Sequence, residues 1–146
     1  MAYKFVIDDN FCTGCASCAI ACKDKYDLKV GMNYRKIISE ESGTFPNVSV
    51  KWSTVACKHC KDPECIKACP ADAIYKREED GIVLIDKEAC IGCKMCIEAC
   101  PYDAPQFNDE TEKCEKCDGC IDLLKEGKKP YCVQVCNSRV LDFIEE

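Results

Sequence analysis

Sixteen of the seventeen cysteines in this 146-residue chain fall into four groups of four. The groups read CTGCASCAIAC (Cys12, Cys15, Cys18, Cys22), CKHCKDPECIKACP (Cys57, Cys60, Cys65, Cys69), CIGCKMCIEACP (Cys90, Cys93, Cys96, Cys100), and CDGC with CVQVC (Cys117, Cys120, Cys132, Cys136). Whatever fold the chain adopts must satisfy these thiols. The remaining composition makes that demand stronger. Apolar residues are 47% of the chain, but setting aside the cysteines leaves about 35%, a thin core for a domain of this size. Ligation by metal stabilises many small folds whose unbound chains scarcely fold. A chain stripped of its metal is therefore expected to be largely unfolded.

A secreted disulfide scaffold is the first alternative, and three features oppose it. The opening MAYKFVIDDNF has no charged-then-apolar signal pattern. The cysteine count is odd, and bridges between cysteines with only two or three residues between them would close strained loops. Structural zinc is the second alternative, since CxxC pairs also hold zinc. Four groups with runs of this length, two of them ending in Cys-Pro, favour 4Fe-4S cubanes instead. The formal charge of −6 leaves no basic stripe for nucleic acid, and the short apolar runs give no direct membrane span.

The groups form an internal repeat. CIGCKMCIEACP matches the bacterial ferredoxin run CxxCxxCxxxCP, and CTGCASCAIAC matches it except that Lys23 replaces the proline. CKHCKDPECIKACP inserts two residues before its third cysteine, and the last group stretches one gap to eleven residues, Ile121 to Tyr131. Between groups, Ala73–Lys76 and Ile82–Asp86 flank Glu79-Asp80-Gly81 and read as a β-hairpin. Strands are expected near Tyr3–Ile7 and Val140–Ile144, and short helices after the third cysteine of each group, such as Ile66–Cys69 and Ile97–Cys100, stopped by the following proline. The expected fold class is α+β, with two ferredoxin-like βαββαβ modules. Residues 1–33 and 103–146 form the first, residues 54–102 the second, and residues 34–53 an inserted hairpin. The hairpin is read as strands Tyr34–Ser39 and Val48–Val55 around Ser42-Gly43. It either covers a cluster, meets a partner, or is a mere connector.

A cubane has four iron corners, each taking one thiolate. CxxCxxC wraps three corners from one loop, and glycine lets the backbone approach; Gly14, Gly92 and Gly119 occupy such places. The fourth cysteine, three residues on, ligates the other cluster in two-cluster ferredoxins. The second and third groups are adjacent and both end in Cys-Pro, so they are read as mates, which leaves the first with the fourth. By spacing and by this analogy, the ligand sets are Cys12, Cys15, Cys18 with Cys136; Cys57, Cys60, Cys65 with Cys100; Cys90, Cys93, Cys96 with Cys69; and Cys117, Cys120, Cys132 with Cys22. Spacing alone leaves one alternative open, because Cys114, Cys117 and Cys120 also read CxxCxxC. No cluster lacks a fourth cysteine, so no open iron is expected and no catalytic residue is assigned. His59, the sole histidine, is read as a packing or hydrogen-bonding residue beside a cluster, with a proton-coupling role as the alternative. Lys58, Lys94 and Lys116 lie in or next to ligand loops, as solvated charges or as tuners of potential.

Taken together, the chain resembles the four-cluster iron–sulfur, beta-type subunit of the dimethyl sulfoxide reductase family of molybdopterin oxidoreductases. The resemblance runs through YKFVIDDNFCTGCASCAIACKDKYDL, through both middle groups to PYDAPQFN, and through KCDGCIDLLKEGKKPYCVQVC. It places the last ligands at Cys117, Cys120, Cys132 and Cys136, leaving Cys114 as a free thiol near a cluster. It implies a large catalytic partner with a molybdenum or tungsten pterin, and a second redox partner, either a further subunit or a ferredoxin. In that family the cluster of the first group and final cysteine usually faces the catalytic subunit. Related chains serve formate-hydrogenlyase-type assemblies and tungsten aldehyde oxidoreductases. Two departures stand out. Cys136 is followed by Asn137 and not proline, and no C-terminal extension of the kind that meets a membrane anchor follows Glu146, which favours a soluble complex. The expected role is a non-catalytic, electron-transfer subunit, cytoplasmic and anaerobic in setting. A free-standing polyferredoxin and a zinc-stapled interaction protein are the competing classes.

Overall fold

Proline decides how far each cysteine-bearing helix runs. The computed structural model describes residues 1–146, with strand β1 at Tyr3–Ile7 and helix α1 at Ser17–Lys25. A hairpin follows, β2 (Lys36–Ser42) and β3 (Ser49–Val55), then α2 (Glu64–Ala68), β4 (Ile74–Lys76), β5 (Val83–Ile85) and α3 (Met95–Ala99). The chain closes with β6 (Gln106–Asn108), β7 (Lys113–Glu115), α4 (Ile121–Lys125), α5 (Tyr131–Gln134) and β8 (Leu141–Glu145). Cys69 and Cys100 adopt extended backbones because Pro70 and Pro101 follow them, so α2 and α3 stop after one turn. Lys23 stands where that proline would be, and α1 continues through Cys22 to Lys25. Each of these three helices begins one residue ahead of its third cysteine, earlier than the expected Ile66 and Ile97. At α1 and α3 the left-handed Ala16 and Lys94 turn the chain into the helix before the cysteine is reached.

Four two-stranded antiparallel sheets make up the β structure. β1 pairs with β8, from Tyr3 opposite Glu145 to Ile7 opposite Leu141, so the two ends of the chain lie side by side. β4 pairs with β5 as the expected hairpin, with Gly81 at φ +68° in its turn. β6 pairs with β7, a three-residue hairpin too short to show alternation in the sequence. Helices α1 and α5 pack together, as do α2 and α3.

The β2–β3 hairpin sits two residues later in its first strand than expected, with Lys36 opposite Val55. Tyr34 leaves the strand because its hydroxyl reaches inward to donate to Glu115 at 2.8 Å. The hairpin's tip is exposed, whereas its base is buried at Arg35 and Thr54. No helix is long and apolar enough to cross a membrane.

Candidate iron–sulfur centres

The four cysteine loops share one backbone device. The residue before the second cysteine is left-handed in all of them: Gly14 at φ +66°, Gly92 at +70°, Gly119 at +70°, and His59 at +47°. Glycine adopts this freely, and histidine is among the side chains that tolerate it. At Gly14 the space is also filled, since an added Cβ would lie 2.3 Å from the Trp52 ring on β3. Backbone amides reach sulfur: Gly119 N–H donates to Cys117 Sγ at 3.4 Å, Ala73 N–H to Cys69 at 3.3 Å, and Cys114 N–H to Cys90 at 3.5 Å. Such bonds favour the thiolate form.

The cysteines wall cavities. One is lined by Cys12, Cys15, Cys18 and Cys136, with Ile37 and Thr54 from the hairpin base. A second is lined by Cys57, Cys60, Cys65 and Cys100. A third is lined by Cys69, Cys90, Cys93 and Cys96, with Cys114 beside them. The remaining four, Cys22, Cys117, Cys120 and Cys132, are all buried near one another. Burial, with Cys132 and Cys120 close by, pushes the Cys22 thiol up to about 12. Burial likewise raises Cys117, with Cys57 and Cys22 adding to it. Loading metal therefore means displacing protons that burial holds in place.

Packing sets these four places in a row. Cys18 of the first set and Cys132 of the buried set share one apolar cluster with Leu141. Cys22 and Cys117 share the next with Cys57 and Cys100. Cys65 packs in the last with Cys69, Cys90 and Cys96. Only Cys15 and Cys93, at the two ends of this row, are exposed.

The cysteines are all free thiols, and no three Cys, His, Asp or Glu side chains converge tightly enough to hold a single metal ion. They surround voids, as a multi-iron group requires and a four-coordinate zinc ion does not. Two buried polar atoms near these voids lack any partner, Nη2 of Arg35 and Nε2 of His59. A buried donor without an acceptor is rare, so each points to a group that the polypeptide does not supply. The residues fit 4Fe-4S clusters on both counts.

Around the cavities, His59 is 5% exposed, and its Nδ1 accepts the Val83 N–H at 3.1 Å. Burial, reinforced by the Lys116 ammonium, holds the imidazole well below the usual histidine range. It is a neutral, hydrogen-bonded residue facing the Gly119 loop. Lys58 and Lys94 are exposed and lie over the Tyr102 and Phe107 rings at 4.1 and 4.0 Å. Lys116 differs: it is buried, bonded to the carbonyls of Val83 and Cys117, and lines the Cys57 cavity. Arg35 was invisible to sequence reasoning. Nothing about an arginine ahead of an inserted strand reveals that it is 2% exposed, with its guanidinium 4.4 Å above the Phe5 ring.

Comparison with known proteins agrees with this chemistry. Residues 48–146 match the model of a 4Fe-4S dicluster domain, and residues 11–30 that of a 4Fe-4S binding domain. The chain is 46% identical over 149 residues to the B polypeptide of the anaerobic dimethyl sulfoxide reductase of Escherichia coli (strain K12), covering 97% of this chain and 72% of that protein. It is 52% identical over 103 residues to the B polypeptide of the selenate reductase of Mesobacillus selenatarsenatis, covering 70% of this chain and 35% of that protein. It is 35% identical over 164 residues to the B polypeptide of the sulfite dehydrogenase of Allochromatium vinosum, covering 97% and 68%. With iron–sulfur loops along its length and matches of this extent, the protein belongs to the family of iron–sulfur subunits of the dimethyl sulfoxide reductase-type molybdopterin oxidoreductases.

Proposed function

We propose that this chain is a non-catalytic electron-transfer subunit that holds four 4Fe-4S clusters and relays single electrons to or from a catalytic partner carrying a molybdenum or tungsten pterin. A bound cluster of this type takes up and returns one electron at a time. The observation that carries the reading is the row of four cysteine-walled places with an exposed cysteine at each end. In row order the proposed ligand sets are Cys12, Cys15, Cys18 and Cys136; Cys22, Cys117, Cys120 and Cys132; Cys57, Cys60, Cys65 and Cys100; then Cys69, Cys90, Cys93 and Cys96. The position of Cys114, in the cavity of the last set, supports starting the fourth sequence group at Cys117.

We assign residues 1–33 and 103–146 to one ferredoxin-like module and residues 54–102 to a second, with 34–53 inserted. The order β1-α1-β6-β7-α5-β8, with β1 on β8, follows the βαββαβ plan. In the second module, α2-β4-β5-α3 supplies the centre of that plan without an outer strand pair of its own. The Cys15 end carries exposed Phe11 and Ile20, and the Cys93 end exposed Ile91 and Met95, so each end offers apolar surface to a partner. We place the catalytic subunit at the Cys15 end and a second redox partner at the Cys93 end.

Anaerobic affinity purification from the native host, with metal analysis of the intact complex, tests this reading. The expected result is a stoichiometric large subunit containing molybdenum or tungsten. Recovery of the chain alone, with roughly sixteen irons and no second metal, would instead establish a diffusible polyferredoxin.

A further inference from the structure

Arg35 lies outside the strand ladder of the hairpin, at its buried base. It lies just ahead of β2, 2% exposed. Its Nη1 donates to Thr54 Oγ1 at 3.3 Å, and Thr54 Oγ1 lies 3.6 Å from Cys18 Sγ at the first place in the row. Toward the second place, Cys132 shares the apolar cluster of Cys18, and Cys22 and Cys117 lie in the next cluster along. The guanidinium lies over the Phe5 ring, and Phe5 packs against both the apolar cluster that joins the first and second places and the one that joins the second and third. What remains is Nη2, buried without a partner.

A guanidinium removed from water with an unused donor is costly, and no carboxylate pairs with it. An acceptor belongs there, and it must carry negative charge and soft lone pairs in a space walled by thiols. We infer that Arg35 is a redox-tuning residue: its Nη2 donates to a sulfur of the cluster held by Cys22, Cys117, Cys120 and Cys132, and its charge raises the potential of that cluster above what the cysteines alone would set. The physical basis is general, since hydrogen bonds and positive charge at cluster sulfurs favour the reduced, more negative state. This rests on the cluster assignment above. It also gives the inserted stretch a purpose: the insertion delivers the cation between the first and second places.

Two measurements on the iron-loaded protein decide the matter. In wild-type protein labelled with 15N-arginine, pulsed electron paramagnetic resonance of the reduced protein is expected to show arginine nitrogen coupled to one cluster signal. Of the chain's three arginines, Arg77 is held by Glu79 and Asp80 on the β4–β5 turn and Arg139 is exposed, so Arg35 alone is buried among the cysteines. In a redox titration, Arg35→Gln is expected to lower the midpoint of that same signal and leave the clusters of the Cys57 and Cys90 loops unmoved. Arg35→Lys, which keeps the charge but loses the planar fork, is expected to fall between the two. Should Arg35→Gln fail to load iron, the labelled wild type and Arg35→Lys carry the decision. A fully loaded wild type without arginine coupling, and with Arg35→Lys midpoints equal to its own, overturns the assignment and leaves the electron-transfer reading intact. A chain that never binds iron overturns both.

Discussion

His59 holds the one loop position of its kind that glycine does not, and the exchange is informative. Its backbone is left-handed like those of Gly14, Gly92 and Gly119, while its ring accepts the Val83 amide. His59→Gly is expected to keep all its iron, because the loop conformation suits glycine. It should lose about 1–2 kcal/mol of stability, as the freed Val83 amide outweighs the relief of backbone strain. His59→Val, β-branched and unable to accept that bond, is expected to lose the iron of the Cys57 loop. Iron content per chain distinguishes the two variants. Cys114 gives a second test. Although it lines the cavity of Cys90 and Cys96, its backbone runs in β7 and the other cysteines already number four. Cys114→Ala is expected to retain roughly sixteen irons, whereas Cys117→Ala loses a whole cluster. Iron loss in Cys114→Ala alone would reverse the ligand assignment of the last group.

The inserted hairpin divides into a working base and a dispensable tip. Trp52 packs on the Gly14 loop, Ile37 and Thr54 line the first cavity, and residues 40–51 are exposed. Replacing residues 43–48 by a two-residue turn is therefore expected to leave iron content and midpoints unchanged. Trp52→Ala should cost about 2–3 kcal/mol, less than a fully buried tryptophan, seen as faster iron loss from one cluster on warming. The same contrast shows what was legible in the sequence. The β1, β4 and β5 strands, the two proline-stopped helices and the existence of this hairpin followed from alternation, turn residues and the proline rule. The helix α5 lies at the third cysteine of its group, where a short helix was expected, whereas α4 was missed because it is a single turn inside the eleven-residue gap, with no apolar period to read. Cysteine spacing announced which thiols the structure gathers around common cavities, but Arg35 gave no signal, since its surroundings are Phe5 and Thr54 brought in from other strands.

The whole molecule is assembled around its ligands. Of the twenty buried apolar residues, nine are cysteines, so removing iron leaves the core as separated thiols facing voids. Chelation under reducing conditions is expected to abolish most far-ultraviolet circular dichroism, and retention of native ellipticity would show that the polypeptide core suffices. Tyr3 N–H donates to the Asp80 carbonyl at 2.9 Å, placing the paired chain ends against the β4–β5 turn. The row then runs from Cys15 to Cys93, and on the proposed reading its ends meet other proteins. Phe11→Glu with Ile20→Glu is expected to weaken recovery of the catalytic subunit at least tenfold without changing iron content, while Ile91→Glu leaves that recovery intact. Equal effects from both ends would contradict the assigned polarity. Trp52 is the chain's only tryptophan, and its ring lies against the first ligand loop. The protein thus carries its own lamp beside one place in the row. Its fluorescence will be dark while an iron–sulfur chromophore is held there and will brighten when that one is lost. The filling of a single centre can then be followed by emission, in a solution where the absorbance of all the others overlaps.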